Sequence, residues 1–149
     1  MWRIIGLERN TSQMNMAIDH AIFEAVGNGS SPPTIRFYRW ENGGISIGRG
    51  QHWSIVKLKD CRDANIGCVR RPTGGNALFH DAGDFTYSVA APNALFSPKS
   101  DGKPQVNIAA YREICSWIIA ALEKSGIRAE ISGSNDVIAD GRKISGNAQ

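Results

Sequence analysis

The dipeptide Asp140-Gly141 constrains this chain more than any other feature. Both central positions of the favoured two-residue hairpin turn need positive φ, and this pair tolerates it, so the flanking residues must run antiparallel. Counting outward pairs Ala139 with Arg142, Ile138 with Lys143, Val137 with Ile144 and Asp136 with Ser145. Side chains alternate along a strand, which puts Asp136, Ile138, Lys143 and Ser145 on one face and Val137, Ala139 and Ile144 on the other. The second set is apolar and suits a core. The first carries a carboxylate, an ammonium and a hydroxyl and faces a cleft or solvent; a solvated face with ordinary charges is the plainer alternative.

A second segment, Arg70 to Asp81, reads RRPTGGNALFHD. Arg71 offers a planar fork matched to phosphate or carboxylate oxygens, while Gly74 and Gly75 let backbone N–H groups approach a ligand closely. Such a segment can hold an anion. His80 and Asp81 are adjacent, and neighbours in a strand point to opposite faces, so packing and hydrogen bonding suit His80 better than an acid-base pair. Leu78 and Phe79 have core packing as their plainer reading, and Arg70 a surface ion pair.

Elsewhere the pattern alternates between helix and strand. Met14, Ala17, Ile18, Ala21, Ile22 and Ala25 recur at helical spacing, with Thr11 or Ser12 as a cap and Gly27 and Gly29 as terminators. Ile35, Phe37, Tyr38 and Trp40 predict a strand closed by the ENGG turn, with Ile45 to Gly48 as its hairpin partner. Gln51 to Asn65 is polar and mixed, and Ile66 to Arg71 and Phe85 to Ala90 read as strands flanking the glycine loop. Pro92, Pro98, Gly102 and Pro104 mark Ala91 to Gln105 as a long surface loop, a candidate lid. Val106 to Leu122 predicts a longer helix ended by Gly126, and Ile127 to Ile131 resumes strand character.

Composition sets the limits. With 149 residues and 42% hydrophobic content the chain can bury a proper core, and no run approaches the roughly 18 apolar residues of a membrane span. MWRIIGLERN lacks the apolar run of a secretory signal, so a soluble cytoplasmic protein is expected. A formal charge of +3 gives no reason to expect nucleic acid or a membrane as partner. Cys61, Cys68 and Cys115 are odd in number and widely spaced, which fits reduced, buried thiols better than disulfides or zinc.

Taken together, RRPTGGNALFHD and NDVIADGRKISGNAQ resemble the lipoate-protein ligase family of the biotin and lipoate ligase superfamily, supported by SQMNMAIDHAIFEAV, IRFYRWENGGISIGRGQ and DFTYSV. The resemblance implies an α+β fold: a mixed or antiparallel sheet flanked by helices, related to biotin ligases and class II aminoacyl-tRNA synthetases. It implies ATP-dependent, magnesium-assisted activation of lipoate to lipoyl-AMP. Transfer to a lysine of a lipoyl carrier domain follows, in the E2 subunits of 2-oxoacid dehydrogenases and in the glycine cleavage H protein. Carried over by position, Lys143 is the catalytic lysine, lying against the acyl carbonyl and the α-phosphate. Arg71, Gly74, Gly75, Asn76, Ala77, Leu78 and Phe79 border ATP or the adenylate together with Lys143. Arg70, Gly75, His80 and Lys143 contact lipoate, and Asp136 is the candidate for magnesium.

The loop reads GGN where such ligases carry a third glycine, which bears on the nucleotide geometry. The RRPTGG and TYSV wording is also similar to cysteine-dependent octanoyltransferases of the same superfamily, which use no ATP; these need a thiol, and ISGSND, Ile131 to Asp136, has none. Cys68 would then have to serve. The ligase is the main expectation, with the transferase or a catalytically incomplete lipoyl-binding module as alternatives. Because the family continues past SGNAQ, residues 1–149 are expected to be a truncated or split catalytic domain, with an accessory domain absent and a separate accessory subunit as a possible partner.

Overall fold

The computed structural model describes residues 1–96 and 108–149. It is an α+β protein of two compact units, Met1–Pro92 and Asn93–Gln149. In the first unit, β1 (Arg3–Asn10) leads into α1 (Ser12–Gly27), followed by β2 (Thr34–Trp40), β3 (Gly44–Ile47), α2 (Leu58–Asp63), β4 (Gly67–Arg70), β5 (Leu78–His80) and β6 (Thr86–Ala90). The second holds α3 (Ile108–Lys124) and β7 (Glu130–Ser132), β8 (Asp136–Ala139) and β9 (Arg142–Gly146).

Thr11 starts α1, its hydroxyl accepting from Met14 N at 3.3 Å. Ile22 faces inward as the periodicity predicts, and Val26 joins it, but Asn15 is also fully buried, while Met14 is half exposed. Asn15 is where it is because of Arg36. This arginine, 0% exposed on β2, donates to the Asn15 carbonyl and Oδ1 (3.2 and 2.8 Å), to Asp19 (2.8 Å) and to Glu8 (3.1 Å), and lies 4.2 Å from the Tyr38 ring centre. A buried charge survives only when paired in this way.

β2 and β3 are not a hairpin pair. β2 is central in the order β1-β2-β6, parallel to β1 and antiparallel to β6, so both its edges are taken. β3 is central in a second sheet, β4-β3-β5, parallel to β4 and antiparallel to β5. Alternate residues of β2, from Thr34 to Trp40, are buried, and Trp40 with Tyr38 and Val69 forms the core of this unit. The stretch 51–65, without evident periodicity, supplies a 3-10 turn (Trp53–Ile55) and α2. The expected lid falls largely on residues 97–107, outside those described, as does Val106.

In the second unit Gly126 ends the α3 region with φ of 78°, its N–H donating to Glu123 and that of Ile127 to Leu122. The Asp140-Gly141 turn forms as the dipeptide predicts, with φ of 49° and 71°. The ladder beyond it corrects the simple count. Ala139 pairs with Arg142 and Ile138 with Lys143, but the register then shifts: Val137 pairs with Ser145 and Asp136 with Gly146. Ile144 is left unmatched as a β-bulge and is 47% exposed, whereas Val137 is fully buried.

Candidate active site

The glycine loop is built around Arg71. Its backbone N–H donates to the Ile47 carbonyl at 3.0 Å, extending the β3–β4 ladder by one step. A guanidinium has five N–H donors, and here five bonds use them. Nε and Nη2 reach the Gly74 carbonyl (3.1 and 2.6 Å), Nη2 also the Asn76 carbonyl (2.7 Å), and Nη1 both the carbonyl and the hydroxyl of Ser46 (3.1 and 3.2 Å). The side chain is buried, which lowers its pKa. The expected clamp on phosphate is therefore not set up in this arrangement: Arg71 holds the loop.

What the loop offers instead is backbone. A trans peptide is planar, so a carbonyl turned toward Arg71 turns the next N–H away from it. The N–H groups of Gly75 and Ala77 thus face away from the guanidinium, on exposed residues. Gly75 has φ of 87° and needs to be glycine; Asn76 is outside the positive-φ set, so the departure from GGG leaves the loop geometry unstrained. The loop rests on Gly48, where an added Cβ would collide with the Gly75 carbonyl.

Arg70 points elsewhere. Nη1 donates to the carbonyls of Gly48, Arg49 and Gln51 (3.1, 2.9 and 2.6 Å), and the guanidinium lies 5.3 Å from the Trp53 ring centre. Leu78 and Phe79 are 48% and 61% exposed, which corrects the core reading of Phe79. With Ile45, Ile55, Val56 and Cys61 they line an open groove.

His80 stacks on Trp40 at 3.9 Å with rings 8° from parallel. Its Nε2 lies 2.8 Å from Ser46 Oγ, which also accepts from Arg71. Asp84 Oδ2 lies 3.8 Å from Nδ1, while Asp81 accepts from Gly83 N. Burial pushes the His80 pKa down to about 4, helped by Arg71 and opposed by Asp84, so the ring is neutral near pH 7. Ser46, Trp40 and Asp84 lie in segments that carry the family resemblance, but their meeting with His80 is not legible there: the β3–β5 pairing brings Ser46, the turn after β5 brings Asp84, and Trp40 comes from the end of β2.

In the second unit Lys143 Nζ lies 2.9 Å from Asp136 Oδ1. The donor set does not fit a dedicated magnesium site: Asp136 is paired with an ammonium, and no cluster of three or more His, Cys, Asp or Glu occurs among the described residues. The strand ends are tied together by Asn135 and Asn147, whose side-chain amides donate to each other's backbone carbonyls (2.6 and 2.9 Å), and Asn147 Nδ2 lies 3.4 Å from Cys115 Sγ.

Neither Cys68 nor Cys115 is primed. Cys115 is fully buried and raised by burial and by Asp136; Cys68, half-buried, is pushed up to about 11 by burial and by its neighbour Cys61, itself buried. Nucleophilic cysteines need the opposite shift. No helix among the described residues is long and apolar enough to cross a membrane.

Arg71 lies in the first unit and Lys143 in the second, and the sequences of known relatives cover both. Octanoyltransferase LipM of Symbiobacterium thermophilum is 38% identical over 90% of this chain, and that of Clostridioides difficile 39% identical over 87%. The chain spans 46% of the length of either. Among solved structures, a bi-partite lipoate protein ligase from Thermoplasma acidophilum aligns over 98% of this chain and 55% of its own, with a TM-score of 0.79 and 28% identity. A lipoate-protein ligase A bound with ATP aligns over 98% of this chain and 60% of its own, at 0.76 and 28%. The octanoyltransferase relatives correct the expectation of an ATP-dependent ligase. The RRPTGG and GRKISGNAQ segments build a loop and a hairpin, and neither encodes how the acyl donor is activated. The family model of the lipoyl protein ligase A/B catalytic domain matches residues 11–149, and the chain belongs to that family.

Proposed function

We propose that this chain carries catalytic residues of an octanoyltransferase, moving an octanoyl group from a thioester donor to a lysine of a lipoyl domain without ATP. The observation that carries this reading is the 38% identity, over 90% of the chain, to an octanoyltransferase. The acceptors are the lipoyl domains of 2-oxoacid dehydrogenase E2 subunits and the glycine cleavage H protein.

Lys143 is the catalytic cation. Negative charge builds on the acyl oxygen as the acceptor amine attacks, and a positioned ammonium lowers the energy of that oxyanion. In the first unit, the N–H groups of the exposed residues Gly75 and Ala77 are suited to an anion. Burial moves Cys68 and Cys115 away from the thiolate form; in the transfer to lysine the amine forms the C–N bond, the C–S bond of the thioester breaks, and the departing thiolate takes up the proton the amine releases.

The test is octanoyl transfer from an octanoyl-carrier thioester to a lipoyl domain, followed by mass spectrometry with and without ATP. Transfer in the absence of ATP is expected. Product formed only from free octanoate plus ATP overturns the proposal. Cys68→Ser should retain activity, and an octanoyl group trapped on Cys68 would disprove that expectation.

A further inference from the structure

We propose that Asp136 and Gly146 form a seat that positions the Lys143 ammonium, with the missing side chain of Gly146 as the space that admits it. This rests on the reading of Lys143 as the cation that serves the acyl carbonyl.

The seat is a product of the hairpin register. Ile138 opposes Lys143 and Asp136 opposes Gly146, with Ile144 bulged out between the two steps. Asp136, Ile138, Lys143 and Gly146 therefore share a face. Lys143 folds back along that face until Nζ is 2.9 Å from Asp136 Oδ1. On its way the stem crosses directly above Gly146. A methyl group built there would lie 2.7 Å from Lys143 Cε, 2.8 Å from Nζ and 3.3 Å from Asp136 Oδ1. The lysine thus occupies volume that any side chain at 146 would fill.

The pair contributes little to holding the fold, since the Lys143 and Asp136 side chains are 57% and 30% exposed. Its effect is geometric. A lysine carries a compact charge on a flexible four-carbon stem, and without a partner it samples many rotamers. Asp136 fixes the far end, the open face of Gly146 fixes the path, and the Asn135–Asn147 bracket fixes the two strand ends that carry them. The atoms that a methyl at 146 would meet belong mostly to the mobile end of one side chain, so the backbone can keep its course while the ammonium is displaced.

Gly146→Ala and Asp136→Asn test the seat by two readouts. The first is the acetylation rate of Lys143 at fixed pH, with Lys59 as internal reference, followed by mass spectrometry. The second is steady-state octanoyl transfer with the lipoyl domain varied. Gly146→Ala should melt close to the parent, speed Lys143 acetylation severalfold against Lys59, and lower kcat by on the order of a hundredfold with KM unchanged. Asp136→Asn should shift both readouts in the same direction. Parental acetylation and kcat in both variants overturn the seat, while an inactive Lys143→Ala leaves the catalytic reading standing. A fully active Lys143→Ala overturns that reading, and the acetylation rates still decide the seat. Should Gly146→Ala fail to fold, Asp136→Asn decides by the same two readouts.

Discussion

At the scale of single residues, Arg71 shows how a motif can be right in place and different in role. A forked cation beside two glycines suggests an anion clamp, yet all five donors go to Gly74, Asn76 and Ser46. Lysine cannot reproduce that fork. Arg71→Lys should cost about 2 kcal/mol by leaving buried acceptors unpaired, measurable as a lower urea midpoint. His80 gives a pH prediction. Its pKa falls from 6.5 to about 4 on folding, so the unfolded chain takes up the proton first as pH drops. Stability from this group is complete above the unfolded value and is lost between pH 6.5 and 4, by about 3 kcal/mol in all. Melting curves of His80→Gln across that window should slope less steeply than those of the parent. The depressed pKa was beyond reach of the sequence, because it arises chiefly from burial in the folded chain, where the ring stacks on Trp40, 40 residues away in sequence.

At the scale of elements, legibility followed how local the determining contacts are. α1 with its Thr11 cap and the Asp140-Gly141 turn are set by near neighbours and were readable. β5 has three residues inside what looked like a continuous glycine loop, and β1 lies in a stretch whose exposed Ile4 and Leu7 break the alternation expected of a half-buried strand. ENGG misled because a turn signal says that the chain reverses, not that the two strands stay in one sheet; β1 and β6 had already claimed β2. Gly48→Ala tests how closely the loop is seated. Its methyl would meet the Gly75 carbonyl, which is backbone and cannot step aside cheaply. A loss of about 1–3 kcal/mol in urea unfolding is expected.

For the whole molecule, the fold class and the family were legible, while the choice between acyl activation chemistries was not. Both chemistries share the loop and the hairpin, and the octanoyltransferase relatives weigh against the ATP-dependent ligase. The first unit depends on one buried charge network that no periodicity announced: Arg36 links β2 to Glu8 on β1 and to Asn15 and Asp19 on α1, and Asp19 also receives Tyr38 and Ser88. Arg36→Ala strands Asp19 beside a cavity and should cost about 3–5 kcal/mol, seen as a large drop in the guanidinium midpoint.

The bulge at Ile144 has a consequence for how this hairpin tolerates change in length. The unmatched residue sits between Lys143 and Gly146, and its neighbours on both sides are in step with β8. Removing Ile144 would let the ladder run straight while Lys143 still met Ile138 and Gly146 still met Asp136. The hairpin therefore carries one residue of slack, like a spare link in a bracelet. Its length can vary by that link, while the lysine and the glycine keep the partners that give them meaning.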